Sequence, residues 1–470
     1  MAPYIQGGFR GGKVLIDDDG FRYHLNRTTA AGRMHFRCWR ATCRAYLHCR
    51  AFELDAPGVE IDVLGVDRHS HPADTTMVNH AAITQVMLSA IKVDPSKSIK
   101  QVYDDVVRQA GVTDVPEFKS VRSRLQRNRR SLLPRLPLKI ADVAVEGVWR
   151  CTWSGARFLS LIDNEAGVLV FAPDENYQRL YRCDDVYIDG TFKTAPKPYC
   201  QFVTVHGKYI NRIVPLIFCV LSGKLESQYQ RVLQHISQKV LNLTGRVFQP
   251  TRVVTDFELA LLNAIEKELP NSRRSACYFH FTQSLWRKVQ ALKLAVPYTK
   301  DADLKECIRK CMSLGFLPHY CVRPNFQSLA KAKKTTRIVR RHPTLRTFLV
   351  YMRKTYIAQR SAFPPELWNI YDLNERTNNT CESFHGRWNS KLRRVRPSLW
   401  VFLTQLKDEQ LRTELALKAA VEGFTGPPKK RKWRDLDARI ARLQLEFRGK
   451  IRNLDEYWTA IQNCVHNFIV

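Results

Sequence analysis

The spacing of apolar residues changes several times along the 470 residues of the chain, and each change predicts a different kind of structure. Over residues 1–75, short apolar runs alternate with polar positions and turn residues, which predicts a small antiparallel β unit. Over residues 76–150, apolar residues recur at helical spacing in three segments. The first 150 residues are therefore expected to hold a β-rich unit followed by a helical one.

The middle of the chain has the pattern of an α/β domain. Residues 151–284 contain five strand-like runs, then a helix, a strand, a helix and a last strand at "ACYFHF". This order predicts a mixed sheet with helices packed on it. Residues 285–375 read as a helical insertion and residues 376–420 as the final helices of the core. After the Gly-Pro break, residues 421–470 predict a basic helical tail, in which residues 443–465 have apolar spacing suited to packing on a partner helix.

The charge of the chain indicates a polyanionic partner. Lys and Arg number 75 against 44 Asp and Glu, a net charge of +31, and nucleic acid is the partner that best tolerates such an excess. The basic residues cluster within 118–139, 331–346 and 429–434. The first cluster lies in the last of the three helices predicted over residues 76–150. That pattern is typical of a helix-turn-helix-like DNA-binding module and equally of a plain helical linker, and both interpretations stay open.

Targeting signals favour the nucleus. No run of about 18 apolar residues is present, so no membrane span is expected, and the first residues lack the apolar core of a signal peptide. The stretch "PPKKRK" fits a nuclear localisation signal, whose charged residues are Lys429, Lys430, Arg431 and Lys432. The alternative is a basic loop on a DNA-binding surface.

Two predicted strands end on a carboxylate, in "VYIDGTF" at Asp189 and in "RVVTDFE" at Asp256. If the strands are neighbours, the two acids converge at one edge of the sheet. Glu382 follows an Asn-Asn-Thr cluster that resembles a helix N-cap and shares a helical stripe with His385 and Asn389. Three such carboxylates suit Mg²⁺ or Mn²⁺. The alternative is local: Asp189 starts an Asp-Gly turn and Asp256 caps the next helix.

These segments resemble the transposase domain of Mutator-like elements. The family motif Asp-Gly-Thr-Phe matches residues 189–192, Thr-Asp matches 255–256, and Asn-x-x-Glu-x-x-His matches 379–385. A Cys-x-x-His pair that the family has after its second aspartate matches Cys277 and His280. The resemblance covers roughly residues 180–395.

The resemblance implies an α/β, ribonuclease H-like catalytic domain with a helical insertion. It implies that Asp189, Asp256 and Glu382 form an Asp-Asp-Glu triad that holds Mg²⁺ or Mn²⁺ for DNA cleavage and strand transfer. It gives Cys277 and His280, with His385, a supporting or DNA-contacting role. The alternative for Cys277 and His280 is a structural role, as a buried thiol beside a hydrogen-bonded imidazole. A two-residue gap suits a metal, but two ligands do not make a site.

A second metal site is predicted near the N-terminus. Cys38-x4-Cys43 is followed after 25 residues by His69-x-His71, a set from which Zn²⁺ can take its four tetrahedral ligands. A chance coincidence in a stretch rich in Cys and His is the alternative. The spacing is similar to that of FLYWCH-type zinc fingers, which implies binding to DNA or protein for residues 1–75, with zinc in a structural role.

The sequence thus predicts a nuclear Mutator-like transposase that binds double-stranded DNA at terminal inverted repeats and at a target, acting as a dimer or higher oligomer. Two other interpretations stay open. One is a domesticated, transposase-derived regulator that binds DNA without catalysis, and the other is a different metal-dependent nuclease on the same fold.

Overall fold

The computed structural model describes residues 4–7, 13–17, 19–30, 32–50, 63–66, 68–95, 97–210, 212–373, 379–392, 396–424 and 430–468. The chain forms two compact units, Met1–Arg135 and Leu136–Val470. Each unit has hydrophobic cores of its own.

The first unit begins with a six-stranded antiparallel sheet in which every strand pairs with its neighbour in sequence. Its core is thin and includes Tyr23, Phe36 and both Cys38 and Cys43. A bound metal would add stability that a core of so few buried side chains cannot supply. The strands are β1 (Tyr4–Gly7), β2 (Lys13–Ile16), β3 (Arg22–Thr28), β4 (Arg33–Cys38), β5 (Tyr46–Arg50) and β6 (Val63–Val66).

Three helices complete the first unit: α1 (Thr75–Val93), α2 (Ile99–Ala110) and α3 (Phe118–Leu132). The side chain of Asp74 accepts a hydrogen bond from the Met77 amide and caps α1, and Ser98 caps α2 in the same way through Gln101. The three helices share one small core, to which α3 contributes the buried Val121 and Leu125 and the partly buried Phe118. The remaining faces of α3 carry its many basic residues.

The second unit is built on a seven-stranded mixed sheet. Strand β9 lies near its centre, antiparallel to β10 on one side and parallel to β12 on the other. The order across the sheet is β13-β12-β9-β10-β11-β8-β7. The strands are β7 (Leu159–Asp163), β8 (Val168–Phe171), β9 (Asp185–Thr191), β10 (Gln201–Tyr209), β11 (Arg212–Leu221), β12 (Arg252–Thr255) and β13 (Arg273–Ala276).

Helices cover both faces of this sheet. On one face the core includes side chains of α4 (Asp174–Tyr181), α5 (Glu226–Thr244) and α6 (Leu259–Glu268). On the other face, α14 (Asn379–Leu392) and α15 (Leu399–Val421) bring aromatic rings against Phe202 of β10. The result is a three-layer α/β arrangement.

The remaining helices form a separate, mostly helical core. It takes in side chains from α7 through α13 and from the last two helices, so residues 436–465 pack inside the same chain. These helices are α7 (Tyr278–Ala291), α8 (Ala295–Lys300), α9 (Ala302–Ser313), α10 (His319–Lys331), α11 (Lys333–Arg341), α12 (Thr344–Met352), α13 (Pro365–Trp368), α16 (Arg431–Arg448) and α17 (Leu454–Ile461). Shorter helical turns lie at Ile140–Asp142, Gly147–Arg150, Leu314–Phe316, Arg353–Ile357 and Gln462–Phe468.

Two local predictions were wrong. The segment "ACYFHF" is not a strand, because β13 ends at Ala276 and Cys277 caps helix α7. Its aromatic run looked extended, but Phe281, Leu285 and Val289 lie on one buried helical stripe. Helix α4 was missed between β8 and β9. Within the described ranges, no helix has the length and apolar character needed to span a membrane.

Candidate functional site

The fold brings Asp189 and Asp256 to one edge of the mixed sheet. Strands β9 and β12 run parallel, with Val253 opposite Val186 and Val254 opposite Tyr187. Continuing this register by two residues brings Asp256, just beyond β12, level with Asp189. The convergence expected from the two strand ends is therefore present, and it follows from the parallel pairing alone.

Helix α14 carries Glu382 onto the same edge. Its neighbour Cys381 is fully buried and forms a small hydrophobic cluster with Tyr187 of β9 and Val254 of β12. Glu382 lies in the first turn of the helix. Of the cluster Asn378, Asn379 and Thr380 that is expected to cap this helix, Asn378 lies outside the described residues, and α14 begins at Asn379. The packing of Cys381 thus fixes the start of α14 against the two strands that bear the aspartates.

The carboxylates are close enough to perturb one another. Burial, and then the negative charge of Asp256, raises the pKa of Asp189 to about 7, although the Gly190 N–H opposes this by donating to Asp189 Oδ1 at 2.9 Å. Burial, and then the charge of Asp189, raises the pKa of Glu382 to about 7. Such a site holds an excess of negative charge, which a divalent cation would balance.

The local interpretations of the two aspartates are only partly met. Asp189 and Gly190 both lie within β9 and pair with β10, so no Asp-Gly turn forms there. A Cβ at residue 190 would lie 2.7 Å from Gln201 Nε2, so a larger residue there would have to displace the end of the Gln201 side chain. Asp256 Oδ1 accepts the Glu258 N–H at 3.2 Å, just ahead of helix α6. One carboxylate oxygen of Asp256 therefore accepts a hydrogen bond from the backbone.

His385 lies beneath the acids on the buried side of α14. Its Nε2 is 3.0 Å from Thr204 Oγ1 and 3.8 Å from Asp189 Oδ2. Burial lowers the pKa of His385 to about 4, so the ring is neutral at pH 7. His206 also contacts the Thr204 hydroxyl, at 2.9 Å. Thr204 and His206 were missed from the sequence because nothing in a β-strand pattern distinguishes them from other buried polar residues.

The Glu382 stripe is tied to the loop that follows β9. Asn389, one turn beyond His385, accepts a hydrogen bond from the Thr194 hydroxyl at 2.7 Å. Cys277 Sγ lies 3.9 Å from Glu382 Oε1 and His280 Nε2 lies 3.6 Å from the same oxygen. Cys277 and His280 therefore adjoin the acids, and all the residues predicted for this site lie in one neighbourhood.

The four predicted N-terminal ligands also come together. Each offers one ligand atom, and these atoms lie within 4.8 Å of one another. Cys38 Sγ is 3.1 Å from His71 Nε2, and Cys43 Sγ is 3.5 Å from His69 Nδ1. Burial raises the pKa of Cys43, but hydrogen bonds from Ser70 and Ala45 outweigh it and bring the pKa to about 6. This Cys/His cluster is compatible with zinc.

Hydrogen bonds set both imidazoles to present a bare nitrogen to such an ion. His71 Nδ1 lies 2.8 Å from the Pro72 carbonyl, which can only accept, so Nδ1 carries the proton. The Tyr23 hydroxyl donates to Asp17 Oδ2 and therefore accepts from His69 Nε2, at 2.7 Å. His69 also stacks on Phe21, with 3.7 Å between ring centroids. Outer partners of this kind are typical of metal-bound histidine.

Two of the predicted basic clusters are exposed helices. Helix α3 exposes Lys119, Arg122, Arg127 and Arg130. The exposed side chains of α11 are partly neutralised, since Lys334 contacts Glu306 and Arg341 contacts Asp303. In the third cluster, Lys430, Arg431 and Lys432 are exposed at the start of α16, whereas Lys429 lies outside the described residues.

Comparison with known proteins gives one family. Residues 186–284 match the model of the MULE transposase domain. The matched segment contains both aspartates, Cys277 and His280, and it ends before Glu382. No curated protein matches the chain. The match indicates a transposase-type function, and with it an interaction with DNA.

Proposed function

We propose that this protein is a Mutator-like DNA transposase in which Asp189, Asp256 and Glu382 jointly hold divalent metal for phosphoryl transfer. The observation that carries the proposal is the approach of these acids at one edge of the sheet, where the charge of Asp256 adds to the raised pKa of Asp189 and the charge of Asp189 adds to that of Glu382. Acidic side chains that share no function are seldom found close together in a chain of net charge +31. The mixed sheet with helices on both faces supports a ribonuclease H-like catalytic domain.

The three carboxylates offer the oxygen ligands that Mg²⁺ and Mn²⁺ prefer. Bound there, such an ion supplies charge neutralisation of a DNA phosphate and activation of an attacking hydroxyl. The Thr204 hydroxyl donates to the Asp189 backbone carbonyl at 3.4 Å, and His385 Nε2 lies 3.8 Å from Asp189 Oδ2. The Asn389–Thr194 hydrogen bond fixes the helix that bears Glu382. Because His385 is neutral at pH 7, it brings no positive charge that would compete with the metal ion for the Asp189 carboxylate.

DNA binding is assigned to the exposed basic helices and to the N-terminal metal module. Helices α3 and α11 carry cations suited to phosphate contacts, which give affinity with little sequence preference. The module of residues 1–75 is proposed to be a FLYWCH-type zinc finger that contributes to recognition of the element ends. The basic stretch at 427–432 is proposed to direct the protein to the nucleus, and two DNA ends call for a dimer or higher oligomer.

The test is DNA cleavage and joining. Full-length protein is incubated with Mg²⁺ or Mn²⁺, with supercoiled plasmid as target and with duplexes copied from both sides of its own gene. We expect metal-dependent nicking of the duplexes and joining of their 3′ ends to the plasmid. Asp189→Asn, Asp256→Asn and Glu382→Gln should each lower the rate at least ~100-fold, because each removes a ligand from the same site.

Asp184→Asn is the matched control, because Asp184 is exposed just before the same strand β9; this variant should cleave at the wild-type rate. Cleavage that survives all three substitutions would contradict the assignment of the triad. Metal-independent DNA binding with no cleavage by the wild type would favour the non-catalytic regulator. Nicking without joining would favour a nuclease.

A further inference from the structure

A second set of metal-type ligands adjoins the acids, and it differs from them in chemistry. Cys277, His280 and Glu382 each offer one ligand atom, and these atoms lie within 4.8 Å of one another. Glu382 Oε1 lies 3.9 Å from Cys277 Sγ and 3.6 Å from His280 Nε2. Tetrahedral Zn²⁺ with ordinary bond lengths keeps its ligand atoms ~3.3–3.8 Å apart. The side chains therefore need little movement to close on one ion.

The fold holds two of these ligands rigidly. Cys277 is the N-cap of α7 and His280 lies one turn later on the same face of the helix. The Cys277 N–H donates to the Thr255 carbonyl at 2.8 Å, which joins the start of α7 to the end of β12. The helix is anchored further on, where Phe281 stacks on Trp368 with 4.3 Å between ring centroids. The helix N-terminus also favours negative charge on the sulfur.

The ligand atoms of Cys277, His280 and Glu382 favour a different cation from the one that the three carboxylates favour. Sulfur and imidazole nitrogen are ligands for Zn²⁺ and similar thiophilic ions, whereas Mg²⁺ prefers oxygen alone. Glu382 belongs to both sets. A cation held by Cys277 and His280 would therefore draw the Glu382 carboxylate away from the two aspartates.

We propose that Zn²⁺ or another thiophilic divalent cation binds Cys277, His280 and Glu382 and thereby inhibits the enzyme by withdrawing the third acid. Binding of the ion stands on the geometry of the three side chains alone. The inhibition rests on the proposed transposase function.

This site is expected to bind more weakly than the N-terminal cluster. It offers three protein ligands against four. Moreover, His280 Nδ1 is buried with no hydrogen-bond partner among the described residues, whereas both N-terminal imidazoles have one. Missing outer partners cost about 10–100-fold in affinity. The two sites should therefore fill one after the other, which makes them separable by titration.

Cobalt reports the site without any need for activity. Metal-free, full-length protein is titrated with Co²⁺ and followed by its thiolate-to-cobalt absorption in the near ultraviolet. We expect two sulfur-bound equivalents in the wild type, the second weaker. Cys277→Ser should lose the second, with affinity at least ~100-fold lower, because losing a direct ligand exceeds the loss of an outer partner. Cys43→Ser should instead weaken the first.

The variants are chosen to fold. Serine is a favoured N-cap, so Cys277→Ser keeps the start of α7. Cys151→Ser is the matched control, since it changes a thiol that lies outside both clusters and should keep both equivalents. If all sulfur-bound cobalt of the wild type belongs to the Cys38–Cys43 cluster, so that Cys277→Ser gives an unchanged titration, the proposed site does not exist.

The regulatory part has its own measurement, the ratio of Mg²⁺-dependent cleavage rates with and without added Zn²⁺. We expect the ratio to fall at least ~10-fold in the wild type, and to approach one in Cys277→Ser whatever the basal rate of that variant. An equal ratio in both proteins would overturn inhibition through this site. A protein without cleavage activity, but with two cobalt equivalents, would refute the transposase function and leave the metal site standing.

Discussion

At the scale of single residues, the account depends on buried carboxylates that cost stability when they ionise. Asp189 is nine-tenths buried, with the charge of Asp256 nearby, and its pKa is about 7 against an ordinary 3.8. The folded state thus holds this proton more tightly than the unfolded chain does. The stability that results is fully present below pH 4 and is lost as the pH rises through 7.

Asp189→Asn should therefore stabilise the metal-free protein at pH 8 and change little at pH 4. The shift of about three pKa units sets the gain at roughly 2–4 kcal/mol. Urea unfolding of both proteins at several pH values in metal-free buffer measures it, with Asp184→Asn as the exposed control. Parallel pH profiles for wild type and Asp189→Asn would contradict the burial of a charged acid.

Tyr23 gives a second prediction at this scale. Its hydroxyl links His69 to Asp17 and so holds the proton on the outer nitrogen of the imidazole. Tyr23→Phe should lower zinc affinity about 10–100-fold, measured by competition with a coloured chelator. Tyr103→Phe, which loses a hydrogen bond to the Pro116 carbonyl in the same unit, is the control and should bind zinc as the wild type does. Equal affinities would deny Tyr23 this role.

The residue types and their spacing were enough to predict which side chains gather. The strand ends at Asp189 and Asp256 and the spacing of the Cys and His pairs are visible in the sequence, and these residues do lie together. The relay through Tyr23 and Asp17, and the third ligand that Glu382 adds to Cys277 and His280, were not predictable. Each depends on contacts between residues 46 or 105 positions apart, which no local pattern encodes.

At the scale of elements, helix α3 shows how an amphipathic pattern divides structure from function. Its apolar side chains Phe118, Val121 and Leu125 pack against the core of its unit, and its exposed arginines face solvent. Replacing Arg122, Arg127 and Arg130 by alanine should reduce the salt slope of DNA binding by about 2–3, since each phosphate contact contributes about 0.9. Fluorescence anisotropy with a generic duplex at several salt concentrations measures this slope.

The same unit offers a matched triple variant. Lys97, Lys100 and Arg108 are also basic, but each contacts Asp104 or Asp105. Their replacement by alanine should leave the slope close to the wild-type value. If both triple variants reduce the salt slope of DNA binding by the same amount, the effect reflects net charge and α3 is not a specific DNA-contacting element.

Element predictions succeeded where one period dominated and failed where two competed. The strands β7 to β11 and helix α5 lie where long apolar runs or helical spacing predicted them. The consecutive aromatic residues after Cys277 favour a strand, although burial on one face makes the segment a helix. Helix α4 escaped notice because its eight residues are largely polar.

At the scale of the whole molecule, long-range packing decides what the sequence leaves open. The apolar spacing of residues 443–465 suits a partner helix, yet Leu443, Tyr457 and Ile461 lie in the helical core of their own chain. Likewise, Asp256 and Glu382 lie 126 positions apart in the sequence, and the packing of Cys381 on Tyr187 and Val254 brings Glu382 to the sheet edge that bears the aspartates.

The most direct test of the central claim is Mn²⁺ binding to the full-length protein, followed by electron paramagnetic resonance. Wild type and Asp184→Asn should bind Mn²⁺ equally, whereas Asp189→Asn, Asp256→Asn and Glu382→Gln should each bind at least ~10-fold more weakly, because the three acids share one site. Undiminished Mn²⁺ binding in any of these three variants would contradict the claim that all three carboxylates hold the metal.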